Sequence, residues 1–466
     1  MLFQSLNPAT EEVVAEFQEA TAEEVEAALA GAVTAFESWR RTSFQQRGDL
    51  LRAAAKQLRG DKQRLAGLIT LEMGKPIIQA EAEIEKCAGG CEYYATHAES
   101  FLADLAKESS ATESYVVFDP IGTVFAIMPW NFPFWQVFRF AAPALMAGNT
   151  MIVKHAASTP QCALAIDEVF RKAGLPDSVY TNLFVNHDRA AEIIEDERIR
   201  AVTLTGSERA GTSVASTAGR VVKKSVLELG GSDPFIVLPD ADLEASVSTA
   251  VTARYQNAGQ SCIAAKRFIV ADEVYDAFVP RFVEAIEKLN LDDPAERSTN
   301  IGPLARGDLL DGLEKQVHRS LDLGATVLTG GYRPDRKGYY YAPTVLTDVK
   351  PGMPAFDEEV FGPVAAVIRA GSTGEAISLA NQSRFGLGSS VWTRDIANAR
   401  RLAREIEAGM VFINGLVASE PALPFGGVKH SGHGRELSEF GIREFVNVKT
   451  VWIGPRRDDS APPPSE

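Results

Sequence analysis

Short runs of β-branched and apolar residues alternate with helical segments along most of this chain, and this alternation limits the possible folds more than any other feature. In a first block, the run Thr150 to Val153 precedes a helical pattern near Gln161, and the run Ala201 to Thr205 precedes another near Arg209. A second block extends from Pro234 to about Ala418. Such alternation predicts an α/β fold with doubly wound parallel sheets. Because 466 residues are too many for one hydrophobic core, two or three domains are expected.

The segments outside these blocks carry their own signals. Thr21 to Glu24 has the spacing of a capping box and predicts the start of a helix, and helical periodicity covers residues 44–107. Two short strands are expected between Ser114 and Ile127. A late strand from Glu444 to Trp452 is of the kind that often pairs with a neighbouring subunit. The Pro-containing tail, residues 456–466, is expected to be disordered.

Charge and composition exclude several classes of function. The formal net charge of −15 disfavours nucleic acid as a partner. No signal peptide is recognised, and no apolar run reaches the ~18 residues of a membrane span. The four cysteines are too few for a disulfide framework, which favours the cytoplasm. The six histidines show no ligand spacing typical of a metal site, so no metal is assigned.

Cys262 is the candidate nucleophile. Small and polar residues surround it in the segment Asn257 to Ala264, which favours an exposed thiol. A thiolate is a strong nucleophile once its pKa falls or a base lies nearby. The alternative is a buried apolar cysteine, which is the interpretation given to Cys87, Cys91 and Cys162.

Three further strings suggest catalysis or anion binding. Glu228 follows an apparent strand and precedes two glycines, where a carboxylate is well placed to activate water, although an ordinary loop carboxylate is equally compatible. Thr205 to Gly211 joins a strand to a helix, and helix N-termini bind phosphate, although such turns are common without ligands. The string Pro129 to Pro133 holds the Asn131 amide rigidly enough to donate to an oxyanion, unless it is only a structural aromatic loop.

Together these strings resemble the aldehyde dehydrogenase superfamily over nearly the whole chain. The order of the matching strings agrees with the family: Pro129–Pro133, Lys154, Gly206–Gly211, Glu228–Gly231, the Cys262 segment, Glu359–Pro363, and Pro424–Gly427 with Gly434–Glu436. The subgroup most similar is the bacterial succinate-semialdehyde dehydrogenases, through Glu228–Phe235, Gln256–Cys262 and Gly426–Glu436.

The resemblance implies catalytic roles for individual residues. Cys262 would attack the aldehyde, and its backbone N–H and the Asn131 amide would form the oxyanion hole. After hydride transfer from the thiohemiacetal, Glu228 would activate the water that hydrolyses the thioester. Glu436 would relay protons behind Glu228.

The resemblance also implies a cofactor site. Lys154 would hold the adenosine ribose, Ser207 the pyrophosphate and Glu359 the nicotinamide ribose, with Phe361 packed near the nicotinamide. The remaining residues expected around the cofactor are Ile127, Pro129, Trp130, Ala157, Ser158, Gly206, Gly211 and Leu229. The segments Lys154-His155 and Asn186 to Arg189 depart from the usual family pattern. The contacts of the protein with the adenine side of the cofactor are therefore expected to differ.

The position three residues after Lys154 bears on the choice between NADP+ and NAD+. Many relatives that prefer NAD+ have a glutamate there, which repels a 2′-phosphate, whereas this chain has Ala157 followed by Ser158. We therefore predict that NADP+ is accepted and preferred, with NAD+ as the second cofactor. Equal use of both is the alternative.

Succinic semialdehyde is the expected substrate, and another small aldehyde is the alternative. Arg139 lies eight residues after Asn131, where relatives use an arginine for the substrate carboxylate, and Trp135, Ser261 and Ser419 would complete the pocket. The competing interpretation is that Arg139 pairs with a structural carboxylate.

The implied architecture has a Rossmann-type cofactor domain, an α/β catalytic domain and a small β extension that joins subunits into homodimers or dimers of dimers. The expected division is 1–112 and 130–229 for the cofactor domain, 230–425 for the catalytic domain, and 113–129 with 426–455 for the extension and interdomain segment.

Two rival functions are acyl transfer to coenzyme A and a non-catalytic structural role. Glu228 disfavours the first, because resembling enzymes of that type lack this glutamate, and the presence of both Glu228 and Cys262 disfavours the second.

Overall fold

The computed structural model describes residues 2–454, so the tail at 456–466 lies outside the described residues. Along the chain the strands are β1 (Leu2–Asn7), β2 (Glu12–Gln18), β3 (Leu105–Ala106), β4 (Glu113–Pro120), β5 (Thr123–Ile127), β6 (Thr150–Lys154), β7 (Tyr180–Asn182), β8 (Ile199–Thr205), β9 (Lys224–Glu228), β10 (Asp233–Val237), β11 (Ala265–Ala271), β12 (Thr326–Thr329), β13 (Thr344–Thr347), β14 (Val364–Ala370), β15 (Phe385–Gly386), β16 (Ser390–Trp392), β17 (Phe412–Ile413), β18 (Val428–Lys429), β19 (Gly432–His433) and β20 (Val446–Ile453).

The helices follow the predicted alternation with these strands. They are α1 (Ala22–Trp39), α2 (Phe44–Gly60), α3 (Lys62–Met73), α4 (Ile77–Phe101), α5 (Trp135–Met146), α6 (Pro160–Lys172), α7 (His187–Glu195), α8 (Glu208–Arg220), α9 (Leu243–Tyr255), α10 (Asp272–Glu287), α11 (Gly307–Asp322), α12 (Pro354–Asp357), α13 (Thr373–Asn381), α14 (Ile396–Leu402) and α15 (Ser438–Arg443), with a 3-10 turn at Gln256–Gly259. The capping box at Thr21 and Glu24 is present and begins α1, as predicted. No helix within residues 2–454 is long and apolar enough to cross a membrane.

The first large sheet has the strand order β19-β9-β8-β5-β6-β7. All neighbours are parallel except β19, which pairs antiparallel with β9. The chain builds the sheet outward from β5 to β7 and then returns to place β8 on the other side of β5. This reversal leaves a crevice at the carboxyl ends of β5 and β8, which is where open parallel sheets bind ligands.

Strand β5 corrects one of the expected domain boundaries. The sequence division placed residues 113–129 in the extension, but β5 lies between β6 and β8 in the first sheet. Its residues Thr123 to Ala126 are all buried, as expected for a strand covered on both faces. The turn after β4 therefore carries the chain from one sheet into another.

The second large sheet has the order β12-β13-β14-β11-β10-β16-β17 and is parallel except for the pairing of β12 with β13. Phe235 and Phe268, on neighbouring strands β10 and β11, have their ring centroids 5.4 Å apart in its core. Each large sheet thus has a candidate catalytic residue next to a strand end. Glu228 is the last residue of β9 in the first sheet, and Cys262 lies just before β11 in the second.

The third sheet is small and antiparallel, in the order β20-β4-β3. Strand β20 pairs with β4 of the same chain along its whole length, from Val446 opposite Pro120 to Ile453 opposite Glu113. The late strand expected to pair with a neighbouring subunit therefore uses one edge within its own chain. Its other edge has no strand partner among the described residues.

Candidate active site

The loop that carries Cys262 has an unusual backbone conformation. Asn257, Ala258 and Gly259 are consecutive left-handed residues, with φ of 55°, 52° and 74°. Left-handed conformations of residues other than glycine are costly and persist only where the surroundings impose them. Cys262 follows this turn, is partly exposed and lines a cavity of about 1110 Å³.

Two buried cations hold the loop through its carbonyl groups. Arg254, at the end of α9, donates to the carbonyl oxygens of Gly259 at 2.7 Å, Gly362 at 2.5 Å and Ala265 at 3.1 Å. The ammonium of Lys266 donates to the carbonyl of Ser261 at 3.0 Å and to that of Cys262 at 2.7 Å. These contacts fix the backbone on both sides of the thiol. Ser261, which was expected to bind substrate, therefore accepts a hydrogen bond from Lys266 through its backbone carbonyl.

The Asn131 amide lies beside the same loop and lines the same cavity. Its Nδ2 donates to the carbonyl of Gln260 at 3.1 Å, and Nδ2 of Asn257 donates to the carbonyl of Asn131 at 2.9 Å. An amide nitrogen has two hydrogens, so one remains to donate to a negative charge that develops near Cys262. Gln260 and Asn257 therefore position the expected oxyanion donor.

The charge state of Cys262 depends on burial and on two neighbouring cations. Burial raises the pKa of the thiol to about 12, while the positive charges of Arg139 and Lys266 oppose that rise. The thiol is therefore protonated at neutral pH, and it must lose its proton before or during attack on a carbonyl.

Glu228 and Glu436 form a buried acidic pair. Burial raises the pKa of Glu228 well above its usual range, the negative charge of Glu436 raises it further, and the positive charges of Arg139 and Arg435 oppose the shift. Neither carboxylate oxygen of Glu228 has a hydrogen-bond partner within residues 2–454. A carboxyl group with a raised pKa and free oxygens is suited to exchange a proton near neutral pH.

Arg139 occupies a different place from the one expected. Its guanidinium is fully buried, forms an ion pair with Glu436, and has Thr205 Oγ1 at 3.3 Å. Among the described residues that line the 1110 Å³ cavity, Arg139 is absent. From the sequence we expect this side chain to bind the substrate carboxylate, and the competing interpretation is an ion pair with a structural carboxylate. The contacts correspond to the structural ion pair, because Glu436 neutralises the guanidinium.

Trp135 and Ser419 do meet, although 284 residues separate them. The indole Nε1 donates to Ser419 Oγ at 2.9 Å, and both side chains are buried. The same hydroxyl lies 2.7 Å from Lys86 Nζ on α4, a residue that sequence reasoning missed.

The large cavity brings together nearly all the residues expected around the cofactor. Those that line it are Ile127, Pro129, Trp130, Lys154, Ala157, Ser158, Gly206, Ser207, Leu229, Glu359 and Phe361. Gly211 does not line it, and its role is packing, because a Cβ there would lie 2.6 Å from the Leu229 side chain. Arg209 and His187 also line the cavity; each lies in a segment identified from the sequence, but neither was assigned a role of its own.

One end of the cavity suits an anionic group. Lys154 is largely buried, and no carboxylate of the described residues lies within 4 Å of its ammonium. Burial lowers the pKa of Lys154, while the negative charge of Glu19 opposes that shift. Ser158 Oγ is buried without a hydrogen-bond partner in residues 2–454, and Arg209 adds a second positive charge. These groups fit a ribose 2′-phosphate, with Ala157 contributing no carboxylate to repel it.

The other end lies beside Cys262. Glu359 accepts from the Gly231 backbone N–H at 3.0 Å, and a Cβ at position 230 would lie 2.3 Å from its Oε2, so a side chain there would displace the carboxylate. Trp130 and Phe361 meet edge to face, with ring centroids 5.8 Å apart. A flat ring bound against these aromatics would share the cavity with the Cys262 thiol, and Oε2 of Glu359 can accept a hydrogen bond from a ribose hydroxyl.

Comparison with known proteins places this arrangement in a family. Residues 1–451 match the profile of the aldehyde dehydrogenase family. The chain belongs to this family. A succinate-semialdehyde dehydrogenase (NADP(+)) 1 of Mycobacterium tuberculosis is 52% identical over 452 residues, covering 96% of this chain and 99% of the relative. A probable succinate-semialdehyde dehydrogenase (NADP(+)) of Synechocystis is 52% identical, covering 97% of this chain and 100% of the relative.

A solved structure confirms the aldehyde dehydrogenase fold. Succinic semialdehyde dehydrogenase from Streptococcus pyogenes, in complex with NADP+ as the cofactor, superposes with a TM-score of 0.95 at 37% sequence identity. The match covers 97% of this chain and 100% of that chain. The predicted α/β class is thereby confirmed.

His155 explains the departure of this aldehyde dehydrogenase from the usual Lys-Pro pattern after β6. The ring is buried, with Nε2 at 2.8 Å from the Pro133 carbonyl and Nδ1 at 3.0 Å from Thr159 Oγ1. Burial lowers the pKa of His155 to about 4, so the ring is neutral. His155 therefore joins the strand that presents Lys154 to the loop that presents Asn131.

Proposed function

We propose that this aldehyde dehydrogenase oxidises succinic semialdehyde to succinate with NADP+, and that NAD+ is a poorer cofactor. One observation carries the proposal. A single cavity is lined by the Cys262 thiol, the Asn131 amide, the Lys154 ammonium and Ser158, whose hydroxyl has no hydrogen-bond partner within residues 2–454. The relatives at 52% identity, named as NADP(+)-dependent succinate-semialdehyde dehydrogenases, support this choice of substrate and cofactor.

In the proposed reaction, the Cys262 thiol releases its proton to solvent as its sulfur bonds to the aldehyde carbon, and the Asn131 amide and the Cys262 N–H stabilise the oxyanion. Bound NADP+ supplies the hydride acceptor. The thioester left on Cys262 is then attacked by water. Ionised Glu228 accepts a proton from that water, and the carboxylate product leaves as the thiol reforms. Glu436 lies next to Glu228 and takes part in returning the proton to solvent.

The cofactor residues act by position and charge in this proposal. Lys154, Ser158 and Arg209 bind the 2′-phosphate. Ser207 caps α8, whose N-terminal N–H groups face the pyrophosphate, since the N-terminus of a helix favours anions. Glu359 accepts from the nicotinamide ribose.

We further propose a homodimer or a dimer of dimers, in which the free edge of β20 meets another subunit. The cytoplasm is the proposed location, because all four cysteines are unpaired and three of them are buried.

A kinetic panel tests the proposed activity. We expect the purified enzyme to reduce NADP+ at 340 nm without coenzyme A, with kcat/KM for succinic semialdehyde at least about tenfold above that for butanal. Cys262→Ala should retain less than about 1% of this activity, since loss of a nucleophile costs orders of magnitude. Cys91→Ala, a buried cysteine on α4, is the matched control and should remain active. A kcat/KM for NAD+ tenfold above that for NADP+, or an absolute need for coenzyme A, would contradict the proposal.

A further inference from the structure

A buried lysine on β11 binds the backbone of the candidate nucleophile. The side chain of Lys266 is only 1% exposed, and its ammonium donates to the carbonyl of Cys262 at 2.7 Å. It also donates to the carbonyls of Ser261 at 3.0 Å and Ala264 at 3.2 Å. Lys266 is not among the described residues that line the 1110 Å³ cavity. It therefore influences a reaction in the cavity only through the groups that surround it.

The same ammonium faces the carboxylate that is expected to bind the nicotinamide ribose. Lys266 Nζ lies 3.8 Å from Oε1 of Glu359, and this oxygen also accepts from the Gly231 backbone N–H at 3.0 Å. Glu359 lines the cavity, and its side chain is 22% exposed. One side of the carboxylate is thus held by a cation and an N–H group, while the carboxylate still reaches the cavity. A single lysine side chain therefore connects the nucleophile loop to the ribose carboxylate.

The charge of Lys266 acts on the thiol as well as on the backbone. Burial lowers the pKa of Lys266, the negative charges of Glu359 and of Asp233 on β10 raise it, and the positive charge of Arg254 on α9 lowers it. The two carboxylates thus favour the charged ammonium. Burial raises the pKa of the Cys262 thiol, and Lys266 is one of the two cations that oppose this rise. A positive charge near a thiol stabilises its ionised form, which is the nucleophile.

The next residue on the strand provides a comparison. Arg267 is also fully buried, but successive residues of a strand point to opposite faces. Its guanidinium donates to the carbonyls of Ser232 at 2.9 Å, Leu379 at 2.7 Å and Ala380 at 2.9 Å. None of these carbonyls belongs to the nucleophile loop. Of the two buried cations, only Lys266 contacts both that loop and Glu359.

We propose that Lys266 is a positioning residue, whose ammonium holds the nucleophile loop and the Glu359 carboxylate in one fixed arrangement. The inference rests on the proposed role of Cys262 as the nucleophile. Lys266 forms no covalent bond and transfers no proton in this proposal. Its charge stabilises the sulfur anion, and its contact with Glu359 keeps that carboxylate oriented towards the ribose hydroxyls.

Labelling of Cys262 with two reagents of different charge tests the effect on the thiol. Rate constants for anionic iodoacetate and neutral iodoacetamide are measured at pH 8 by mass spectrometry of the Cys262 peptide. Their ratio cancels any change in access that affects both reagents alike. We expect this ratio to fall about 3- to 10-fold in Lys266→Met and in Lys266→Gln, which keeps an N–H donor but loses the charge. Lys266→Arg keeps the charge, and Arg267→Met is the matched control, so both should leave the ratio within twofold.

Binding of NADP+ without aldehyde tests the link to Glu359. The fluorescence of Trp130, which lines the cavity, is a suitable signal. We expect the Kd to rise about 3- to 10-fold in Lys266→Met, and the same change to have no further effect in Glu359→Gln, where the ion pair is already lost.

Either of two results would overturn the inference. One is an unchanged labelling ratio in Lys266→Gln, and the other is an equal effect of Lys266→Met on the Kd with and without Glu359. Neither experiment uses an aldehyde. An enzyme that fails to oxidise succinic semialdehyde would therefore contradict the proposed function without affecting the result for Lys266.

Discussion

At the scale of single residues, the site is dominated by charges that burial leaves incompletely balanced. Glu228 and Glu436 share the positive charge of Arg139, and burial raises the pKa of both carboxyl groups. Glu228 acts as a base only after it loses its proton. Turnover limited by thioester hydrolysis should therefore rise with pH through a pKa above the usual range of a glutamate.

Replacing Glu436 tests this coupling. In Glu436→Gln the negative neighbour is removed and the charge of Arg139 is left for Glu228, and both changes favour ionised Glu228. We expect the acidic limb of the kcat–pH profile to move to lower pH by about one unit. The measurement is kcat between pH 5 and 9 with saturating aldehyde. Glu439→Gln on α15 serves as the control, and a limb that moves to higher pH would show that Glu228 does not titrate as described.

The sequence identified some of these residues and not others for a physical reason. Cys262, Glu228 and Asn131 lie in short strings whose local chemistry is visible without a structure. Lys86 lies in no such string, and 333 residues separate it from Ser419. A single lysine on a helix is usually solvated, so only the fold shows that this one is partly buried and contacts Ser419. For Arg139 the sequence allowed both a substrate and a structural carboxylate, and only tertiary packing identifies Glu436 as the partner.

At the scale of elements, the nucleophile loop is held by the elements on either side of it. Arg254 lies in the last turn of α9 and Lys266 near the start of β11, and their side chains bind carbonyls of the segment between them. The left-handed conformation of Ala258 is thus imposed by two buried cations rather than by a glycine at that position. Periodicity predicted the strands and helices because each buries a continuous apolar face, but it contains no information on this turn. The sheet of β5 was also missed, since strand patterns do not identify their neighbours.

Removing Arg254 should cost stability as well as activity. Arg254→Met leaves the carbonyls of Gly259, Gly362 and Ala265 without their donors, and a buried unpaired carbonyl costs about 1–3 kcal/mol. We expect the free energy of unfolding in urea to fall by about 3–5 kcal/mol, with a larger loss of kcat than of affinity for the cofactor. Arg281→Met on α10, with no such contacts among the described residues, is the comparison. Equal unfolding midpoints for the two variants would refute the role of Arg254.

At the scale of the whole molecule, the small third sheet has an edge, on β20, that no other strand within residues 2–454 pairs with. On β20, Val448 is 61% exposed, Trp452 54% and Ile453 43%. An exposed apolar edge strand is a template for pairing with another chain, and soluble proteins usually cover or charge such edges. The sequence predicts a subunit contact for this strand, and the unpaired edge of β20 is available for such a contact.

Light scattering after gel filtration tests the assembly. We expect the enzyme to elute as a dimer or a dimer of dimers, and the double variant Val448→Lys with Trp452→Lys to shift towards monomer, because charged side chains on an edge strand oppose pairing. Leu323→Lys changes an apolar residue that is 56% exposed elsewhere and should not alter the mass. A double variant with unchanged mass would place the subunit contact away from β20.

The two groups that carry the two halves of the reaction belong to different sheets. Glu228 ends β9 in the first sheet, and the chain crosses through residues 229–232 to β10 in the second, which also contains β11 after Cys262. A small sliding of one sheet against the other therefore alters the spacing between thiol and carboxylate without any side-chain rotation. Substitutions remote from both groups can change the lifetime of the acyl-enzyme while leaving its rate of formation intact. The amplitude of a pre-steady-state burst of NADPH then reports how tightly the two large sheets are packed against each other.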